Sequence, residues 1–173
     1  MKDPFDLQPI LVGETLILRP LEQQDLEPLY LAAADPLIWE QHPDRHRHER
    51  EVFTGRFFPA AIASGGALAV IENSTGRIVG TSRYYEWNPE ECSVAIGYTF
   101  LVRELWGTPA NPEMKRLMLD HAFRRADVVW FHIGSNNHRS RRALEKIGGI
   151  FSHEELKVLN GVTEPHAFYK VLR

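Results

Sequence analysis

The amino-acid pattern predicts a mixed α/β fold of the α+β kind, a central sheet of about six or seven strands with helices on both faces. Three observations lead there. Between Ala67 and Val102, three β-rich runs are separated by short turn sequences, which reads as an antiparallel meander. From Ser93 to Gly148, two strand–loop–helix units follow one another. Beyond Ile150, apolar residues recur at period two on both sides of Asn160-Gly161, a hairpin signature.

Taken in order, Thr15 to Arg19 is a strand closed by Pro20. A helix is expected over about Gln24 to Ala34, with Leu26, Leu29, Tyr30 and Ala33 on one face, stopped at Asp35-Pro36. Leu37 to Glu51 is the least regular stretch. A second helix spans about Arg50 to Ser64 and ends at Gly65-Gly66. Ala67–Glu72 and Ile78–Trp87 are strands joined by the turn Asn73-Ser74-Thr75-Gly76, and Asn88 to Glu91 turns the chain into a central strand over Ser93–Val102. Asn111 suits a helix N-cap and Pro112 the first helical position, so a third helix is expected over Pro112–Arg125. Val128–Ile133 is a strand, and His138–Ile147 a helix ended by Gly148-Gly149.

The chain of 173 residues suits one domain. Its net charge of −3 argues against nucleic-acid binding through bulk positive charge, although Arg139, Arg141 and Arg142 cluster locally. The single cysteine, Cys92, allows no internal disulfide and fits a cytoplasmic location. The stretch Met1 to Asp6 lacks a signal-peptide pattern, and no apolar run is long enough to span a bilayer, so no membrane association is expected. His46 and His48 are spaced like metal ligands, but the interleaved Arg45 and Arg47 repel a cation and no third ligand accompanies them, so no metal site is expected.

Several residues match a known pattern. They are Ile96-Gly97-Tyr98 at the central strand, Trp106-Gly107 with Glu113 after it, Asn137-x-x-Ser140, and Arg142-Ala143-Leu144-Glu145-Lys146-Ile147-Gly148. With them the chain resembles the GNAT acetyltransferase superfamily, in the branch of the Rim-type ribosomal-protein N-acetyltransferases, from Thr15 to its end. The resemblance implies the GNAT fold with splayed central strands. It implies transfer of an acetyl group from acetyl-CoA to an amine, either a small molecule or a peptide N-terminus, and is compatible with a homodimer. Two positions depart from the pattern. The pyrophosphate loop of the family has a central glycine where this chain has Pro109, which carries no N–H. Rim-type relatives often carry a glutamate before Ile-Gly-Tyr, and here that position is Ala95.

By resemblance, Gly107, Thr108, Ala110 and Asn111 offer backbone N–H groups to the pyrophosphate, and Thr99, Phe100 and Leu101 pair with the pantetheine arm. A free N–H there can act as an oxyanion donor. Asn137 contacts the same arm or caps a helix. Ser140 protonates the leaving thiolate or serves the first helical turn. Glu86 and His42 are the candidates for a water-relayed base in place of the missing glutamate. Trp39, Arg83, Tyr85 and Trp87 form an acceptor wall suited to a flat or carboxylate-bearing molecule, with core packing as the other reading of Trp39. The alternative to an enzyme is a catalytically silent acyl-CoA-binding module on the same fold, which Ala95 and Pro109 favour.

Overall fold

A computed structural model describes residues 4–173. Met1–Asp3, part of the stretch read above for a signal sequence, lie outside the described residues. The strands are β1 (Leu11–Val12), β2 (Leu16–Pro20), β3 (Ala67–Glu72), β4 (Ile78–Asn88), β5 (Ser93–Leu101), β6 (Val128–Gly134), β7 (Ile150–Leu159) and β8 (Val162–Leu172). They form one eight-stranded sheet in the order β1-β2-β3-β4-β5-β6-β8-β7. The extra strand beyond the expected six or seven is the two-residue β1, too short to carry a periodic signal. Every described pairing is antiparallel except β5 with β6.

Helix α1 (Leu26–Ala33) follows a 3-10 turn over Gln23–Asp25. Arg19 holds that turn by pairing with Asp25 through both guanidinium nitrogens, at 2.7 and 2.8 Å. Helix α2, residues 50–63, is not the uniform helix the periodicity predicts. Its centre, Phe53–Phe57, is a π-helix, and the N–H of Phe58 reaches back to the carbonyl of Phe53. Pro59 lies just beyond and has no N–H to continue the ordinary ladder, so the turn widens before it. Helix α3 is Ala110–Ala122 and α4 is His138–Glu145.

Alternation along the strands divides the core. In β3, Leu68 and Val70 face α3 and α4, while Ala67 and Ala69 face α1 and α2. The first face packs Leu16, Leu18, Tyr84, Ile96, Met114, Met118, Val129 and Leu144. The second packs Leu29, Phe53, Phe57, Ala61 and Phe100. Trp39 belongs to this second core. It is 2% exposed, and its indole N–H donates to the carbonyl of Ala33 at 2.8 Å. Its place is therefore core packing, not the acceptor wall. On this second face, α1 and α2 cover only the β2–β5 half of the sheet, and the rest stays open.

Candidate functional site

β5 and β6 pair as Ser93↔Val128, Val94↔Val129 and Ala95↔Trp130, and no pairing continues past Ala95. Each strand keeps its other neighbour to its end, β4 for β5 and β8 for β6. The two central strands therefore part into a wedge that opens toward their C-terminal ends. Each of those ends leads through a short loop into a helix N-terminus, α3 after β5 and α4 after β6. The loops touch, because the Arg139 guanidinium lies 3.9 Å over the Trp106 ring and donates to the carbonyl of Ile38 at 2.9 Å.

The loop before α3 corrects one expectation. The helix begins at Ala110, not Pro112, with Pro109 as its N-cap. Thr108 takes over the capping role by accepting from the N–H of Ala110 at 3.3 Å, while its hydroxyl donates to Leu105 at 2.7 Å. Pro112 then falls in the first turn, where a missing N–H costs nothing because that donor has no helical partner. Gly107 holds a φ of +73°, which favours glycine. The N–H groups of Thr108 and Ala110 are thus engaged within the loop, Thr108 at 3.4 Å from the carbonyl of Leu105. Those of Gly107 and Asn111 have no partner among the described residues. Glu113 does not face the loop: it accepts from the N–H groups of Thr15 and Leu16 and from the Thr15 hydroxyl. Burial works against its charge, yet those donors outweigh it and hold its carboxyl below the ordinary value.

On the β6 side, the Asn137 side chain caps α4 by accepting from the N–H of Ser140 at 3.2 Å. Ser140 is half-buried on the first turn. The Ser135 hydroxyl is buried without a hydrogen-bond partner. Lys115, which the sequence marks only as the end of an Asn111-x-Glu113-x-Lys115 pattern similar to some members of the branch, spans the wedge from below. Its ammonium donates to the Thr99 hydroxyl on β5 at 3.2 Å and lies 5.0 Å over the Phe131 ring on β6. Burial pushes its pKa down to about 8. The side chain of Phe100 packs against Trp39, at 5.1 Å between centroids, and Leu101 is buried, so only their backbones can meet a ligand.

The open half of the second face forms a cleft of about 1020 Å³ over Ala95. Glu86, Trp87, Trp130, His132, Lys157 and Phe168 line it. Glu86 reaches it through a bulge in β4, where its φ of +52° breaks the pairing between Tyr85 and Asn88. Trp87 stands at the rim, stacked on Phe5 at 5.0 Å. His132 was not foreseen. The Lys157 ammonium donates to its Nδ1 at 3.0 Å, which assigns the ring proton to Nε2, and the Tyr85 hydroxyl lies 3.1 Å from the same nitrogen. Burial, with Lys157 beside it, lowers the His132 pKa to about 4. Burial raises the Tyr85 phenol above its ordinary value. Only the fold brings these residues together, from β4, β6 and β7.

His42 lies elsewhere. Its Nδ1 accepts from the N–H of Asp44 at 2.9 Å and its Nε2 faces Arg47 at 3.3 Å, so both nitrogens are held within the segment 42–47 and neither is free as a base. Burial first and Arg47 second lower its pKa from 6.5 to about 3. The unfolded chain therefore binds the proton more readily. The contribution is whole above pH 6.5 and is lost as pH falls toward 3. We expect His42 to contribute a fall of about 1 kcal/mol per pH unit just below pH 6.5, with His132 adding a fall of the same sign over the same window. Urea unfolding above and below pH 6.5 should show it, and His42→Asn should reduce the slope to what His132 contributes. An unchanged slope would contradict this account.

His46 and His48 sit on a 3-10 turn, with Nδ1 atoms 2.6 Å from Glu49 and 2.9 Å from the Arg45 carbonyl. Among the described residues no group of three His, Cys, Asp or Glu is arranged to hold a metal ion, and no helix is long and apolar enough to cross a membrane.

A family model described as an acetyltransferase (GNAT) domain matches residues 15–150. No curated protein matches the sequence significantly. Among solved structures, the chain is similar to a GCN5-related N-acetyltransferase from Brucella melitensis at 22% identity and a TM-score of 0.86, covering 98% of this chain and 80% of that one. It is similar to a putative ribosomal-protein-serine acetyltransferase from Vibrio cholerae at 15% identity and a TM-score of 0.73, covering 95% and 98%. A third is the microcin C7 self-immunity acetyltransferase MccE, solved with acetyl-CoA and AMP, at 13% identity and a TM-score of 0.78, covering 97% and 99%. At these identities the likeness speaks for the fold.

Proposed function

The chain belongs to the GNAT acetyltransferase family, and we propose that it moves an acetyl group from acetyl-CoA directly to a primary amine, on a small molecule or a peptide N-terminus. The observation that carries this is the wedge: β5 and β6 pair over three residues and then part, with two helix N-termini at the open end. The residues present fit the cofactor. Gly107 and Asn111 offer unengaged N–H groups beside a helix dipole, which suits a pyrophosphate. The orphaned Ser135 hydroxyl and the free amide nitrogen of Asn137 suit the amide-bearing arm.

Bound acetyl-CoA supplies the activated acetyl group. The backbone of Thr99 to Leu101 faces the wedge and offers donors for the oxygen that gains charge. Ser140 stands at the open end, where its hydroxyl can protonate the departing sulfur. Glu86, one of the carboxylates lining the cleft over Ala95, would take the amine proton through water, a role supported by its place on the β4 bulge beside the wedge. Much of the rate would come from holding amine and thioester together. The Rim-type likeness and a cytoplasmic location are part of this reading. They are supported by the Asn137-x-x-Ser140 block and the single cysteine.

Calorimetric titration with acetyl-CoA tests the first half, and release of CoA thiol across an amine library tests the second. We expect micromolar binding. No binding at millimolar acetyl-CoA would end the proposal, and binding without turnover of any amine would favour the silent module.

A further inference from the structure

We propose that the acceptor carries an anionic group, a carboxylate or a phosphate, received by Arg83. This rests on the acetyl-transfer reading for the amine end of the acceptor. The anionic end rests on the buried, unpartnered Arg83 Nε.

Arg83 is 7% exposed, and its Nε is buried without a hydrogen-bond partner. No carboxylate lies within ion-pair distance of it among the described residues. Its guanidinium lies 4.0 Å over the Tyr98 ring. A second buried guanidinium, Arg47 at 5% exposed, lies 5.9 Å from the same ring. Arg47 is paired with Asp44 at 3.3 Å, but that carboxylate also accepts from Arg56 at 2.8 Å and from Asn160 at 3.0 Å. Lys157 lies beside His132 in the adjoining cleft, whose lining also carries Glu86, Glu90, Glu91 and Glu155, so the cationic character is confined to the Arg83–Arg47 end. An arginine cannot escape its charge by losing a proton, and a buried charge is tolerated when something compensates it. At Arg83 the protein supplies the Tyr98 ring but no carboxylate and no acceptor for Nε, so a ligand anion is the partner that completes it.

The location fits. Arg83 pairs with Gly97, two residues past the point where β5 leaves β6, and its side chain lies on the same sheet face as that of Tyr85, beside the cleft and not in its lining. Tyr98 is 39% exposed, so solvent reaches this place. Neighbouring strands lie about 4.8 Å apart, so an amine at the wedge and an anion on Arg83 belong to one compact molecule.

The test uses the full chain with amines in three arms: α-amino acids, aminoalkyl phosphates, and neutral amines that differ only in lacking the anion. CoA release should favour one anionic arm over the neutral arm by about tenfold or more in kcat/KM, which also tells carboxylate from phosphate. Arg83→Met should remove that preference while the acetyl-CoA Kd stays unchanged, and Arg83→Lys should retain part of it. The unliganded Arg83→Met protein should unfold at the same temperature or higher, because an uncompensated charge has gone. Equal use of neutral amines, or a lowered midpoint for Arg83→Met, would overturn the proposal. If the wild type fails to bind acetyl-CoA, the acetyl-transfer reading fails separately. The anionic amines should then still raise the thermal midpoint of the wild type and not of Arg83→Met, and no such shift would overturn this inference too.

Discussion

Tyr84→Ala is expected to destabilise the protein by about 3–5 kcal/mol, the range for removing a large buried aromatic. Tyr84 is fully buried on β4, and its hydroxyl donates to the carbonyl of Met118 in the middle of α3 at 2.7 Å. Phe5 packs edge-on against its ring at 5.3 Å. The side chain therefore seats the helix whose N-terminus faces the wedge, so acetyl-CoA affinity should fall along with stability. Tyr84→Phe keeps the packing and loses one hydrogen bond, for about 1 kcal/mol, with affinity retained. Urea unfolding and calorimetry on the two variants check this. A loss near 1 kcal/mol for the alanine variant would mean that α3 is held mainly by other contacts.

Asn111→Asp separates binding from folding. Asn111 lies in the first turn of α3 with an unengaged N–H. A carboxylate there interacts favourably with the helix dipole, so stability should hold or rise by about 0.5 kcal/mol. The same charge repels a pyrophosphate, and acetyl-CoA affinity should drop about tenfold at low ionic strength, roughly 1.4 kcal/mol. Opposite movement of the two readouts is the signature. Unchanged affinity would place the pyrophosphate away from this helix end.

Much of the architecture follows from local pattern. The Asn160-Gly161 hairpin was legible because both residues adopt positive φ, 53° and 79°, which these residue types tolerate best. The meander was legible because alternation at period two records which face of a strand is buried. Gly148 ends α4 as expected, with a φ of +94°. The start of α3 was misplaced because Asn111-Pro112 carries a strong cap signal, whereas Thr108 supplies the cap through its side chain. The π segment of α2 left no mark in the periodicity, and only Pro59 hinted at it.

The candidate site was less legible. Asn137 and Ser140 share one helix turn and can be read from spacing, and Glu86 was named only as a candidate for a water-relayed base in place of the missing glutamate. His132 and Lys157 matter through partners on other strands, so no spacing along the chain marks them, and the Asn111-x-Glu113-x-Lys115 spacing names Lys115 without showing that it reaches Thr99 and Phe131. Trp39 and His42 carry site-like chemistry in sequence, but burial and committed hydrogen bonds take both out of play. The sequence by itself determined the order of strands and helices and the family pattern, since those are written in neighbours two to four residues apart. The tertiary structure alone decided where β5 leaves β6, which cations lie buried together, and that Arg83 lacks a carboxylate, because strand register and sheet face determine which distant side chains meet.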